Sequence, residues 1–358
     1  MRNVQRALEN LQQEKHQKLA LQRDLKEAQD KLAETTADLE AARKRWKKAA
    51  SQLSQFQSQG GAGLYQVTDG DLINSAKQLR YDIRAFSVQY FLGKAPLGQL
   101  PGVDGGFSRY MRETINTTLK GYDDDDVAHL MSSETSGPVV IQAFLWRLLV
   151  GEIFEQFRWA ASPPWLRKPM AAVYRALKPT AAPTPEASGE RRFQMWKATT
   201  SALILESMES MEEEEEEEEQ EQVQRSSEST AEKTSSFNCW SFSDRVLDII
   251  RPFVRNDSDV EGILGNLCNI IESSIALDQE ICRQMARVDW VFPPPPSSKD
   301  LLVSFNPDDM AVGVGETTPR PGQYVSVVMA PALKKRGKST GEDFEIENLL
   351  LKMEVTCM

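Results

Sequence analysis

Residues 138–159 read PVVIQAFLWRLLVGEIFEQFRW, and a helix with this sequence is apolar on all its sides. Such a helix is stable only when other elements surround it, so the stretch predicts the central helix of a globular domain. Its longest apolar part, 138–150, contains Arg147 and is shorter than the about 20 residues that a transmembrane helix needs. The sequence therefore predicts a helical globular domain and no membrane span.

Amphipathic patterns on both sides of this stretch predict further helices. Upstream, Thr68 and Asp71 have the spacing of a helix-capping pair. An apolar stripe follows them, made of Leu72, Ala76, Leu79, Ile83, Phe86 and Tyr90. Further helices are predicted at about 107–119, 165–177, 191–210, from Ser243 to about 253, and from Ser258, paired with Glu261, to about 288.

The last part of the chain has a different pattern. Residues 324–329 are rich in β-branched side chains, and apolar and charged residues alternate at 351–355. Two strands are predicted there, within a small β element at about 324–355. The predicted fold class is mainly α, with a long N-terminal coiled-coil helix, a helical globular domain and this small C-terminal β element.

The first 59 residues contain neither Pro nor Gly and carry a seven-residue apolar repeat. One layer of the repeat is Val4, Leu11, Lys18, Leu25, Leu32, Leu39, Trp46 and Leu53. The second layer is Ala7, Glu14, Leu21, Ala28, Thr35, Ala42, Ala49 and Phe56. Thirteen of these sixteen positions are apolar, and a spacing of three and four residues places both layers on one seam of a helix. This pattern predicts a coiled coil at 1–59.

A single helix cannot bury such a seam, so the coiled coil needs a partner. The partner is another copy of the chain, another coiled-coil protein, or the chain's own globular domain. Gly60, Gly61 and Gly63 follow the seam and predict a glycine-rich hinge at 60–67, with the globular domain at 68–358.

Composition predicts two disordered segments inside the globular domain. Residues 179–190 read PTAAPTPEASGE and are typical of a linker. Residues 206–221 carry eleven acids and no base, which equals the net charge of −11 of the whole chain. We predict a disordered acidic insertion at 211–236. The acids suit a solvating spacer, a site for a basic partner, or a shield for basic residues of the same chain.

Two basic clusters also stand out. Residues 43–48 read RKRWKK, which suits a solvated coiled-coil flank, contact with phosphates of nucleic acid or anionic lipid, or a nuclear import signal. The second cluster is Lys334, Lys335, Arg336 and Lys338. It suits either a basic import signal or a solvated hairpin loop. The Gly337-Lys338-Ser339 triplet is not a phosphate-binding loop, because Ala332 stands where that motif needs its first glycine.

The residues that metal sites and catalysis most often need are scarce. The four cysteines, Cys239, Cys268, Cys282 and Cys357, form no Cys-x-x-Cys pair and are expected to be free thiols in a reducing compartment. His129 follows the acids 123–126, but the other histidine, His16, lies in the predicted coiled coil. We therefore predict no catalytic residue, no metal site and no cofactor, in an intracellular protein that is cytoplasmic or nuclear.

Several segments of the chain resemble one group of proteins. These segments are QLRYDIRAF at 78–86, QYF at 89–91, VDWVF at 288–292, VMAP at 328–331 and KRGKSTGEDF at 335–344. In them the sequence resembles uncharacterised coiled-coil-containing proteins of filamentous ascomycete fungi. The resemblance covers most of the chain apart from the acidic insertion. It implies a fungal source and a recurring architecture, and it assigns no functional residue.

The sequence favours a non-catalytic function in protein–protein interaction or assembly, with the coiled coil as the associating segment and the globular domain as a docking module. A second hypothesis is a nuclear or chromatin-associated factor that uses the two basic clusters and the acidic run, although direct binding to nucleic acid is not expected. A third hypothesis is an enzyme whose site is built on the acids near His129.

Overall fold

The structure is a computed structural model that describes most of the globular part of the chain. The described residues are 66–93, 136–160, 166–179, 188–223 (side chains to 210), 239–254, 259–293, 303–313, 319 and 323–357, with the single helical residues Lys26, Lys31, Thr35 and Lys44. The chain divides into two compact units, Met1–Tyr65 and Gln66–Met358, and this division falls within the predicted hinge. The predicted seam residues from Val4 to Phe56, apart from Thr35, lie outside the described residues, as does the helix predicted at 107–119.

The described part of the chain is mostly α-helical, as the sequence predicted. Its helices are α1 (Asp69–Phe91), α2 (Ser136–Glu152), α3 (Arg167–Leu177), α4 (Ser188–Val223), α5 (Cys239–Ile250) and α6 (Val260–Cys282), with a 3₁₀ turn at Arg251–Phe253. Among the described residues, none of these helices is both long enough and apolar enough to cross a bilayer.

Helix α1 begins at the predicted cap. The backbone N–H of Asp71 donates to Thr68 Oγ1 at 3.2 Å, and Thr68 Oγ1 donates to Asp71 Oδ2 at 2.7 Å. These bonds satisfy a helix-terminal N–H that would otherwise have no partner. The whole predicted apolar stripe, from Leu72 to Tyr90, is buried.

The bounds of helices α2 and α4 differ from the prediction, and α4 begins at Ser188, inside the linker predicted at 179–190. Helix α2 ends at Glu152, whereas the apolar stretch predicted a helix to residue 159. Helix α4 continues through the acidic run to Val223, where a disordered insertion was predicted from residue 211. Glutamate is a good helix former, and extending a helix that already packs at Phe193 and Leu205 requires no new nucleation. Residues 224–236 lie outside the described part of the chain.

The last two helices begin and end at other residues than predicted. Helix α5 begins at Cys239, and Ser243, the predicted cap, is buried in its second turn. Helix α6 is capped by Asp259, whose Oδ1 accepts from the backbone N–H of Glu261 at 3.1 Å. The helix ends at Cys282 because the chain then turns into a strand that the sequence analysis did not predict.

The predicted C-terminal β element is confirmed and consists of two small sheets. The strands are β1 (Arg287–Val291), β2 (Met310–Val312), β3 (Val325–Ala330), β4 (Ala332–Arg336), β5 (Glu347–Leu351) and β6 (Met353–Cys357). One sheet has the antiparallel order β1-β4-β5. In the other, of order β2-β6-β3, β6 pairs in parallel with β2 and antiparallel with β3.

The main core forms where α1, α2, α5 and α6 pack together and against the sheets. Trp146 of α2 lies fully inside it, with its ring 4.9 Å from that of Trp290 in β1. A smaller aromatic cluster joins the segment after α2 to helices α3, α4 and α6. Its buried members are Phe157, Trp159, Ala160, Tyr174, Phe193, Leu205 and Cys282. This second cluster fixes the position of α3 and of the turn that precedes it.

Candidate anion-binding site

The segment that follows α2 is an unusual turn at 153–160. Glu155 and Phe157 have positive φ angles of 60° and 50°, although neither is a glycine. A residue with a Cβ seldom adopts this backbone conformation, because it costs roughly 1–3 kcal/mol per residue. It persists only where the surrounding structure imposes it. Something outside the turn must therefore hold it.

The buried carboxylate of Asp278 on α6 holds this turn. Asp278 is completely enclosed, and its Oδ1 accepts from the backbone N–H of Glu155 at 2.9 Å. Its Oδ2 accepts from Trp159 Nε1 at 3.0 Å. Burial raises the pKa of Asp278 to about 7, although these two hydrogen bonds and the charge of Lys197 oppose the rise. The turn is thus fixed by one side chain that bonds it at both ends.

The two sides of the turn have different surroundings. Phe157 points into the aromatic cluster, with its ring 5.5 Å from Trp159 and 5.4 Å from Tyr174. Gln156 and Arg158 are partly exposed and line a pocket on the other side. The strained backbone therefore places Gln156 and Arg158 in the pocket. Phe157 and Trp159 anchor the opposite side of the turn in the aromatic cluster.

An ion pair ties the turn to the end of α3. Lys178, the residue after that helix, pairs with Glu155 at 2.6 Å. Burial alone would raise the pKa of Glu155, but the charge and hydrogen bond of Lys178 outweigh it, so this pKa lies below its ordinary value. The N–H of Lys178 also donates to the carbonyl of Tyr174 at 2.8 Å, which closes the last turn of α3. The turn and α3 therefore form one connected unit.

Between the turn and α3 lies a pocket of about 240 Å³. Its lining residues are Gln156, Arg158, Arg167, Lys168, Ala171 and Arg175. Arg167, Ala171 and Arg175 are spaced four residues apart, which places them along one face of the helix. Four of the six lining side chains are cations, and we call this site the basic pocket.

Two of the four cations have a polar partner, one at the end of α2 and the other in the turn. Arg158 donates from Nε to the Glu152 carbonyl and from a terminal nitrogen to Glu152 Oε2, each at 2.6 Å. Arg175 donates to Gln156 Oε1 at 3.4 Å. Burial lowers the pKa of Arg158, and the nearby charge of Arg167 lowers it further against the effect of Glu152. The pocket therefore concentrates positive charges that repel one another.

The other two cations, Arg167 and Lys168, lie at the N-terminus of α3. Within the described part of the chain, the salt bridges include neither of them. The first turn of α3 has no acidic residue, and Leu166 at its cap gives no side-chain hydrogen bond. Cations are unfavourable at this end of a helix, where the partial charge of the backbone is already positive. An anion in the pocket would relieve both kinds of repulsion.

The basic cluster that the sequence singled out has a different environment. Lys334, Lys335 and Arg336 lie in β4, and not in a solvated hairpin loop. Lys334 and Arg336 pair with Glu347, Lys335 pairs with Asp69, and Lys338 pairs with Asp343. These pairs offset the charge on which the interpretation as an import signal rests.

The Gly337-Lys338-Ser339 triplet forms part of the connection from β4 to β5. The N–H of Lys338 donates to the carbonyl of Glu342 at 2.8 Å. Gly337 has a φ of +79°, and a Cβ there would lie 2.9 Å from the same carbonyl oxygen. A strand follows this connection, whereas a phosphate-binding loop precedes a helix.

The expectation of four free thiols is wrong for two cysteines. Cys239 at the start of α5 and Cys268 on α6 form a disulfide, with their Cα atoms 5.5 Å apart. Among the described residues, these two and Glu272 are also the group whose ligand atoms lie close enough for a metal ion. Sulfurs that are joined in a disulfide are not thiolate ligands. Of this group, only the Glu272 carboxylate could then bind a metal ion. Cys282 and Cys357 take no part in a disulfide among the described residues.

The residues of the basic pocket were absent from the sequence-based predictions. One signal did point to Asp278: it lies four residues after Ser274 and seven after Ile271, on the buried face of α6. An acid on an apolar helix face indicates a specific partner in the folded protein. The four cations gave no comparable signal, because their proximity depends on the turn. The predicted site at 43–48 and the acids near His129 lie outside the described residues, except for Lys44.

Comparisons with protein-family models, with curated proteins and with solved structures gave no match for this chain.

Proposed function

We propose that this chain is a non-catalytic interaction protein. In this proposal the seam at 4–56 joins the chain to a second copy or to another coiled-coil protein, and the unit from Gln66 onward docks an anionic partner. The observation that carries the docking role is the basic pocket, where Arg167 and Lys168 lie beside two further cations. Uncompensated charge in a defined pocket indicates that the partner supplies the opposite charge.

The buried acid supports a binding role over a catalytic one. A general acid or base has to reach the substrate within hydrogen-bond distance. Asp278 is fully enclosed, and both its oxygens accept hydrogen bonds from the turn at 153–160. Its raised pKa is therefore the result of a structural position, and the groups that face the pocket are guanidinium, ammonium and amide groups.

The apolar seam supports the associating role. Thirteen of its sixteen positions are apolar, and the chain divides into two compact units at Tyr65, after the last seam residue. A heptad seam in a unit other than the docking unit is typical of an assembly device that brings several docking domains together.

Light scattering over a concentration series tests the associating role. The full chain is compared with a chain that begins at Gly63. We expect the full chain to be oligomeric and the shortened chain to be monomeric. As a matched control, Leu25 and Leu32 are both changed to Asp in the full chain, which places charges in the seam while the length is kept. A full chain that is monomeric at all concentrations, and that does not bind a separate peptide of residues 1–59, would contradict the proposal.

A further inference from the structure

We infer that the basic pocket binds the phosphate group of a phosphorylated serine or threonine on a partner protein. This inference deepens the proposed docking role and rests on it for the source of the phosphate.

The charge of the pocket is too high for a single carboxylate. Its lining carries four positive charges, and Glu152 beside Arg158 supplies one negative charge. Among the described residues, the difference is a formal charge of about +3, which one aspartate or glutamate of a partner would reduce only to about +2. A phosphate monoester carries roughly −1.5 to −2 at neutral pH, so it offsets most of this charge with one group.

The donors are also of the kind that phosphate prefers. Three of the four cations are arginines, whose planar guanidinium groups can donate two parallel hydrogen bonds to one phosphate. Arg158 is already oriented by Glu152 and by the turn that Asp278 holds. Pre-oriented donors bind with less loss of side-chain entropy than flexible ones.

The lining argues against a nucleotide or a metabolite as the ligand. Ala171 is its only apolar member among the described residues, and none of those that line the pocket is aromatic. Nucleic-acid bases are usually held by stacking on aromatic rings, and small-molecule sites are lined mostly by apolar groups. A pocket that offers cations and one amide recognises the charged group itself.

The pocket is open enough to admit a side chain from another protein. Lys168 and Arg175 are exposed, whereas Arg158 and Arg167 are partly buried. A volume of about 240 Å³ corresponds to roughly eight water molecules, which is room for a phosphate group with its first carbon atoms and a few waters. The rest of a partner would lie on the surface around α3.

The test is a titration of the full chain at constant ionic strength by calorimetry. The probes are a five-residue peptide with phosphoserine between pairs of alanines, the same peptide with serine, the same peptide with glutamate, and inorganic phosphate. We expect the phosphopeptide to bind at least about tenfold more tightly than the serine and glutamate peptides. It should also bind more tightly than inorganic phosphate, because the ester side chain fills the mouth of the pocket.

The variant R167Q/K168Q locates the site, and R191Q/R192Q is its matched control. Arg191 and Arg192 are also adjacent exposed cations in the first turns of a helix, outside the pocket. We expect R167Q/K168Q to weaken phosphopeptide binding at least about tenfold and the control to change it less than about twofold. Removal of the repelling charges should leave Tm unchanged or raise it by about 2 °C, so a loss of binding would not reflect unfolding.

Several outcomes would overturn the inference. These are equal binding of the glutamate peptide, unchanged binding by R167Q/K168Q, or inorganic phosphate binding as tightly as the phosphopeptide, which would make free phosphate the ligand. Absence of phosphopeptide binding would also overturn it, while the mass of the full chain would still report on association. The failure of this inference is thus separable from the failure of the proposed assembly role.

Discussion

Two groups of basic side chains in this protein have opposite surroundings. One is the basic pocket, with Arg158, Arg167, Lys168 and Arg175, whose positions are spread over a turn and a helix. The other, which we call the basic hairpin, consists of Lys334, Lys335, Arg336 and Lys338 in and after β4. Each cation of the basic hairpin has a carboxylate partner, whereas Arg167 and Lys168 are absent from the salt bridges of the described residues.

The difference shows that charge density along the sequence is a poor guide to charge density in space. In the antiparallel pair β4–β5, Arg336 lies opposite Glu347, and the neighbouring Lys334 reaches the same carboxylate. Strand pairing therefore brings one acid, Glu347, to two of the contiguous bases. In the basic pocket, the turn at 153–160 brings two separate segments together, and the salt bridges of the described residues place one acid, Glu152, beside the cations.

The largest expected effect comes from breaking the turn that builds the basic pocket. Asp278→Ala leaves the part-buried N–H of Glu155 and the buried Nε1 of Trp159 without their partner. We expect the free energy of unfolding in urea to fall by about 3 kcal/mol, because each buried unsatisfied donor costs roughly 1–3 kcal/mol. Hydrogen exchange should increase at 153–160 and remain unchanged at 334–338.

The control for this variant is Asp248→Ala, which removes an exposed acid from α5. It should change the free energy of unfolding by less than about 0.5 kcal/mol. Equal increases of hydrogen exchange in the basic pocket and the basic hairpin would show that Asp278 supports the whole domain and not this turn.

The next largest effect is a pH dependence of the free energy of unfolding, which we expect from Asp278 beneath the turn of the basic pocket. The pKa of Asp278 is about 7 in the folded protein and about 4 in the unfolded chain. Its contribution to stability is therefore fully present below about pH 4 and is lost as the pH rises through about 7. Between pH 5 and pH 8, we expect the free energy of unfolding of the native protein, relative to Asp278→Asn, to fall by about 2–3 kcal/mol.

Urea unfolding of both proteins at several pH values measures this difference. The asparagine does not titrate, so groups elsewhere cancel when the two curves are subtracted. A difference that stays constant from pH 5 to pH 8 would mean that Asp278 is ionised throughout this range. The turn at 153–160 would then be held by a buried charge with fixed partners.

The main fold could be predicted from local sequence signals, and the site could not. The cap at Thr68 and the buried stripe from Leu72 to Tyr90 depend on spacing within one helix, and both were predicted. The end of α2 at Glu152 depends on Asp278, more than a hundred residues away, which bonds the backbone of Glu155. The apolar pattern of 138–159 does not indicate a hydrogen-bond partner so distant in the sequence, so the helix was predicted to be too long.

Strands β1, β2, β4 and β5 were missed for a related reason. Residues 332–336 and 347–351 are short and partly charged, and their ladders become favourable only when they pair with each other and with β1. The disulfide was missed because α5 and α6 must pack before Cys239 and Cys268 meet. In each case the missing information is a contact between segments that are distant in the sequence.

A smaller effect is expected from removing a partner in the basic hairpin. Glu347→Gln leaves the shape of the side chain but ends its ion pairs with Lys334 and Arg336, which lie at 2.7 and 2.5 Å. Since these groups are partly exposed, we expect a loss of only about 0.5–1 kcal/mol in the free energy of unfolding. Glu206→Gln removes the same charge from an exposed position on α4 and should have no measurable effect. Equal stabilities of the two variants would show that the pairs of the basic hairpin contribute nothing.

The smallest effect is on the free energy of unfolding of two single substitutions, which we expect to change in opposite directions. Lys168→Gln removes a cation from the N-terminus of α3 and should raise the free energy of unfolding by about 0.3–0.5 kcal/mol. Lys334→Gln ends the pair with Glu347 and should lower it by a similar amount, about 0.5 kcal/mol. Because both effects are electrostatic, 0.5 M salt should reduce both relative to 0.05 M salt, as measured by urea unfolding. A loss of stability in Lys168→Gln would mean that this lysine has a partner in the folded protein, and the argument that the basic pocket is kept for an external anion would lose its basis.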